Sequence, residues 1–262
     1  VLPARSKYGH KHAYNIGINH ITSNKTLWYC LADVINSKIQ TGKIPNIVKA
    51  IRFIPKGIQN IREIKILDEK IDPNQDIFKK IIEKRHQLIE RKDPQEHNLK
   101  IIANSTSYGI YAQINTEKRK SNVDVYGLEH FATDVDKIER LGERFNPVLS
   151  TFITSGSRLV LGLVEAILNK NNQTYAFCDT DSMAVPSDMV DIIQNYFQKL
   201  NPYSFDKSLF KLEKENYENE KLQDLWFYGI SSKRYVLYNV VDGKFVIRKH
   251  SSHGLGHITN PF

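Results

Sequence analysis

Tyr175-Ala-Phe-Cys-Asp179-Thr-Asp181-Ser-Met-Ala-Val185 sets two carboxylates between runs of apolar β-formers, with no lysine or arginine inside the stretch. As strand, turn and strand, Tyr175 to Cys178 and Met183 to Val185 form the arms, and Asp179 to Ser182 the tight connection. Both acids then stand at a hairpin tip, where a divalent cation best relieves their repulsion. Hard oxygen donors at this density suit Mg²⁺, which binds through one or two carboxylates together with substrate phosphates. An ordinary solvated turn is the competing reading, because Asp and Ser are common turn residues.

Working outward, the chain has 262 residues and 40% hydrophobic content, enough to bury a sizeable core in one large domain or two intertwined subdomains. A net charge of +8 points to an anionic partner, nucleic acid first among them. With 13 Tyr and 12 Phe, stacking side chains are available, although most of these rings belong to the core. Cys30 and Cys178 show no framework spacing and read as reduced thiols, so the expected location is cytoplasmic, viral or nucleoid-associated rather than secreted. The longest apolar stretch, Leu159 to Leu168, is short for a bilayer and contains Glu165, so no membrane partner is expected. Val1 at the start and Asn260-Pro261-Phe262 at the end suggest a piece of a longer protein.

Periodicity gives the elements. A helix is expected over Trp28 to Lys38, broken at Thr41-Gly42-Lys43, and a strand over Ile47 to Ile54. A charged helix from Ile77 to Lys92 stops at Asp93-Pro94, and a second runs from His97 or Asn98 toward Ser107, forming a helical hairpin. Ile110 to Ile114 and Val123 to Tyr126 read as strands flanking a basic turn at Glu117-Lys118-Arg119-Lys120. A long helical region is expected over 134–169, interrupted near Asn146-Pro147. Met189, Ile192, Ile193, Tyr196, Phe197 and Leu200 mark a further amphipathic helix. Strands follow at Leu209 to Leu212, Trp226 to Gly229, Tyr235 to Val241 and Lys244 to Arg248, the last two joined by Asp242-Gly243. The fold class is therefore α+β: helices on a mainly antiparallel sheet, with a helical hairpin inserted in the first half.

Two further clusters frame the acids. In Lys100-Ile-Ile-Ala-Asn104-Ser105-Thr-Ser-Tyr108-Gly109, Lys100, Asn104 and Tyr108 follow one another at single helical turns. A cation, an amide and a ring along one face suit a phosphate, sugar and base in that order; a solvated lysine beside a turn is the alternative. Ser231-Ser232-Lys233-Arg234-Tyr235 puts two cations at the start of a strand, where they grip phosphate, neutralise carboxylates or guard an edge.

The ordered triple resembles the polymerase core of family B DNA polymerases over about residues 15–250. Asp179-Thr-Asp181-Ser182 matches that family's D-T-D-S hairpin. Lys100, Asn104 and Tyr108-Gly109 match K-x-x-x-N-S-x-Y-G of the fingers helix, and Lys233-Arg234-Tyr235 the end of K-K-R-Y. The sequence departs from the pattern at Cys178, where glycine is usual. Two residues instead of one separate Ser105 from Tyr108, and Ser232 stands where the first lysine would be. The upstream D-x-x-S-L-Y-P carboxylate segment is not found; Asp33 is the one early aspartate, in a helical pattern. The resemblance implies palm parts at 1–60 and 110–262, with a fingers hairpin at 61–109, the exonuclease and thumb lying outside the chain.

It also implies template-directed DNA synthesis by two-metal nucleotidyl transfer, with Mg²⁺, a DNA primer-template and deoxynucleoside triphosphates as cofactor and partners. Asp181 is then the principal metal ligand and Asp179 an auxiliary one. Lys100 and Arg85 meet the triphosphate, and Asn104 and Tyr108 line the base-pair pocket. Lys233 supports the primer end, and Arg234 and Tyr235 the duplex backbone. Glu213 is a candidate distal acid. His250, His253 and His257, set among glycines, read as a loop near the duplex rather than a zinc site. The 262 residues by themselves are expected to bind primer-template with little or no synthesis. Another palm-type nucleotidyltransferase and a non-catalytic nucleic-acid-binding remnant are the alternatives.

Overall fold

In the computed structural model, residues 2–7, 14–19, 26–54, 56, 63–72, 74–107, 109–126, 130–231 and 233–252 are described. The chain is α+β. Strands β1 (Leu2–Lys7) and β2 (Tyr14–Asn19) pair antiparallel. Helix α1 (Leu31–Thr41) ends where the sequence places its break: Gly42 takes φ 72° and its N–H donates to the Lys38 carbonyl. The strand expected from Ile47 to Ile54 is absent. No described strand runs beside this segment to satisfy a ladder, and Val48 and Ile54 lie exposed.

The short hairpin β3 (Ile64–Ile66) and β4 (Glu69–Ile71) precedes α2 (Ile77–Glu90), whose first turn is capped by Asp76 accepting from the Lys79 amide at 3.0 Å. After Asp93-Pro94 the chain returns as α3 (Glu96–Ser107). The two helices bury Ile81, Leu88 and Leu99 between them, with Ile66, Ile77 and Ala103 packed alongside. The expected helical hairpin is present.

Beyond a 3₁₀ turn at Gly109–Tyr111, two long antiparallel strands, β5 (Ile114–Tyr126) and β6 (His130–Leu141), replace two expectations. The basic stretch at Lys118 to Lys120 is not a turn but the middle of β5. The first part of the region expected as a long helix, from residue 134 to 141, lies instead in strand β6. Thr133 and Val135 are half-buried opposite Val123 and Ser121, so β-formers on one face outweigh the helix-friendly charges between them.

Helix α4 (Pro147–Lys170) opens with Asn146 accepting from the Leu149 amide and Pro147 at its first position. It runs for 24 residues, and its most apolar 18-residue window has mean hydropathy 1.4, so it is long and apolar enough to cross a membrane, more so than the Leu159 to Leu168 run suggests. Within this chain its sides are in use. Arg158 donates twice to Asp33 on α1, both bonds at 2.9 Å. Gln40 of α1 donates to the Gly162 carbonyl at 2.6 Å and to Glu165 at 3.2 Å. Asn36 fills the space that a side chain at Gly162 would need.

The acidic hairpin follows as β7 (Phe177–Asp179) and β8 (Ser182–Ala184), and then α5 (Val190–Gln198). Val164, Leu168, Met189, Ile193 and Phe197 make the main core between α4 and α5, with Tyr175, Met183, Val185 and Phe210 packed against it. Leu209 to Leu212 is not a strand, because Phe210 turns inward and meets the Phe197 ring edge-on at 4.7 Å. After β9 (Tyr217–Glu218) and β10 (Lys221–Leu222), a three-stranded sheet closes the described chain. Its strands are β11 (Trp226–Ser231), β12 (Arg234–Val241) and β13 (Lys244–Ser252). Asp242 and Gly243 join the last two with φ of 50° and 72°, the left-handed pair a two-residue hairpin requires. Every described strand pair is antiparallel, as expected, but the pairs form separate small sheets rather than one.

Candidate functional site

The acidic tip is tighter than the sequence suggests. Asp179 pairs with Ser182, leaving Thr180 and Asp181 as the turn. Thr180 has φ 57°, a region that a β-branched residue rarely enters. The turn is held by three hydrogen bonds on Asp179. Its carbonyl accepts from the Asp181 amide at 2.7 Å and from the Ser182 hydroxyl at 3.2 Å, and Thr180 Oγ1 donates to its carboxylate at 3.0 Å. Asp179 is thereby fixed, while Asp181 stands exposed at the apex.

Aromatic rings dock this tip onto the three-stranded sheet. Phe177 stacks on Phe227 at 5.5 Å and packs at a tilt on Tyr235 at 4.4 Å. Gly229 leaves room for the Phe227 ring, which a Cβ there would meet at 2.7 Å. The docking brings the turn between β11 and β12 beside the acids. Lys233, itself at φ 60°, puts Nζ 3.1 Å from Asp179 Oδ1. Ser251 on β13 donates to the Lys233 carbonyl at 2.7 Å and steadies this turn.

Electrostatically the hairpin is an acidic place with the Lys233 ammonium against it. Burial raises the Cys178 thiol pKa above its ordinary value although the residue as a whole is exposed, and Asp179 and Glu165 push it further in the same direction. The Tyr175 phenol is raised for the same reasons, burial first and then Glu165 and Cys178. Glu165 therefore lies near the arm of the hairpin, a neighbour that the sequence showed only as a charge interrupting an apolar run. Among the described residues no group of three or more His, Cys, Asp or Glu has the arrangement to hold a metal ion. Asp179 and Asp181 are a two-carboxylate donor set, which is the complement Mg²⁺ accepts when phosphates supply further oxygens.

The other expected residues are placed as follows. Arg234 opens β12 next to Lys233. Tyr235, expected along the duplex backbone, is 7% exposed, and its ring is taken up by packing under Phe177. Lys100 and Asn104 stand one turn apart on the exposed side of α3, carried by the α2–α3 packing unit rather than by the hairpin. Arg85, expected on the triphosphate, spends its Nε on Glu96 at 2.9 Å and ties α2 to α3. Tyr108, His253 and His257 lie outside the described residues. His250 lies in β13. Glu213 is exposed just before a 3₁₀ turn, its carbonyl accepting from the Asn216 amide, and not on a strand. Asp33 is the partner of Arg158.

No family model, curated protein or solved structure matches the chain.

Proposed function

We propose that this chain is the fingers and palm part of a DNA-directed DNA polymerase of the family B kind, working by metal-assisted nucleotidyl transfer. The observation that carries the reading is the meeting of Lys233 with Asp179: two clusters distant in sequence, each weak alone, share one site. In this reading Asp181, exposed at the apex of the turn, is the main metal ligand, and Asp179 assists it from a fixed position. Bound Mg²⁺ supplies charge neutralisation to the transferring phosphoryl group and its leaving pyrophosphate. Lys233 holds the acids in register before substrate arrives and supports the primer end afterwards. Lys100 and Asn104 present a cation and an amide to the nucleotide from α3. Arg85 acts by bracing that helix against α2, and Tyr235 by seating the hairpin. The DNA contacts of this turn then fall to Arg234.

Asp181→Asn in the intact protein is expected to lower primer extension by about a hundredfold or more, with an unchanged circular dichroism spectrum because the side chain is exposed. Retained extension overturns the assignment. For the 262 residues alone the readouts are Mn²⁺-dependent deoxynucleotide binding, lost in Asp181→Asn, and duplex binding. Duplex binding without metal-dependent nucleotide binding converts the reading to a non-catalytic nucleic-acid-binding module.

A further inference from the structure

The β5–β6 ribbon has no place in that scheme, yet it is the longest strand pair in the described chain, with 13 and 12 residues. A two-stranded ribbon packed on nothing is marginal in water, and most of this one is exposed on both strands. Its charges are not scattered. Toward one end Glu117 pairs with Arg140 at 2.6 Å. Toward the other, Asp124 meets His130 at 3.2 Å and Asp134 accepts from Asn122 at 2.9 Å. In the middle the pattern changes. Lys118 lies directly opposite Lys137, and between Lys118 and Ser121 the register slips, so that Arg119 and Lys120 face the single residue Asp136.

The bulge thus concentrates Lys118, Arg119, Lys120 and Lys137 around one shallow depression, in which Asp136 is the lone carboxylate among the described residues. None of the four cations makes an ion pair with another described residue. Like charges directly across a ladder destabilise it, and a strand has no structural need for three successive cations. An anion seated in the depression removes that repulsion. An arm that carries its cations at a kink, exposed on both strands, fits a repeating polyanion better than a single small one.

We propose that this bulge grips the phosphate backbone of duplex DNA, independent of base sequence, and that the ribbon is a duplex-holding arm. The choice of DNA as polyanion rests on the function proposed above. The test measures duplex affinity of the 262-residue chain against salt, for the wild type and for Lys118→Gln/Arg119→Gln/Lys120→Gln/Lys137→Gln. Each phosphate that the protein ceases to neutralise lowers the slope of log affinity against log salt by about 0.9, so the variant, with four cations removed, is expected to lose up to about 3.6 units of slope. Lys118→Arg/Lys120→Arg/Lys137→Arg keeps the charge and is expected to keep the slope. Added duplex is also expected to slow amide hydrogen exchange in 114–126 and 130–141 of the wild type, a readout that needs no variant. An unchanged slope in the Gln variant, or unchanged exchange in the ribbon, overturns the proposal. The Asp181→Asn nucleotide measurement is independent of both. Its failure with a salt slope that responds to the bulge removes the polymerase reading and leaves the arm.

Discussion

Thr180 and Lys233 both hold positive φ; Lys233 is one partner of the ion pair at the heart of the candidate site, and Thr180 follows the other, Asp179. For residues with a Cβ this conformation costs on the order of 1–2 kcal/mol each, and it persists only where surrounding bonds over-determine it. Those bonds are visible: three on Asp179 and the Ser251 hydroxyl on the Lys233 carbonyl. The identity of these residues was legible in the sequence, since acids at a turn and cations before a strand announce themselves by type. Their partners were not. Arg85 is one cation on a lysine-rich face until α3 brings Glu96 alongside, and Tyr235 is a surface ring until Phe177 covers it. Tyr203 gives a prediction at this scale. Burial, with Asp76 and Glu83 adding to it, raises its phenol pKa above the ordinary value. The folded chain then holds that proton more tightly than the unfolded chain does. The resulting stability is complete below the unfolded pKa and is lost as pH rises through the folded one. Thermal melts are expected to fall on the alkaline side, less steeply in Tyr203→Phe; an equal fall in both proteins removes Tyr203 as a contributor.

Among the elements, those whose ends and faces were written locally were readable. Gly42 ends a helix and Asp242-Gly243 closes a hairpin where the sequence puts them, each by a residue type suited to the task, whereas Asn146-Pro147, read as an interruption within a helix, starts one, and the cap at Asp76 emerged only in the structure. The failures share a cause: in 114–141 the local charge pattern favours turn and helix, whereas the cross-strand partner that makes a ladder lies beyond any local window. The same holds for Ile47 to Ile54, a β-rich run left without a described strand beside it. The docking of α1 on α4 is also a tertiary event, made through a polar face: Asp33, Asn36 and Gln40 meet Arg158, Gly162 and Glu165. Leu31 and Ile35 are left outward. Arg158→Met is expected to cost about 1–2 kcal/mol in urea unfolding, since the ion pair it removes is half-buried and doubly hydrogen-bonded. Asp33→Asn in that background is expected to add little. Additive losses of full size would mean that the pair does not act as one unit.

At the scale of the whole molecule, most of the buried apolar residues among those described fall into two clusters. One is centred on Phe197 and Leu168 between α4 and α5, and the other on Leu99 and Ile81 between α2 and α3. The segment after α5 touches the second unit through polar and ring contacts: Glu83 accepts from the Ser204 amide at 2.8 Å, and His86 stacks on Phe205 at 4.1 Å. A polar joint of this kind transmits less cooperativity than shared core. Leu99→Ala is expected to cost about 2–5 kcal/mol and to accelerate amide exchange in α2 and α3 ahead of α4. Phe197→Ala, at about 3–5 kcal/mol, is expected to do the reverse. Uniform acceleration everywhere in both variants would show a single cooperative unit. If the proposed function holds, this division has a use, because Lys100 and Asn104 ride on the unit that can open by itself.

By itself the sequence determined the α+β class, the helical hairpin with its break at Asp93-Pro94, and the acidic turn flanked by apolar arms. Each of these follows from residue type and short-range spacing, which act before the chain folds. Tertiary structure alone decided that Lys233 meets Asp179, that Tyr235 is a buried seat, that Arg85 is tied to Glu96, and that Lys118 to Lys120 form a kinked strand rather than a turn. Those outcomes depend on which distant segment arrives alongside, through ladder pairing and ring packing, and no local pattern encodes the identity of that neighbour.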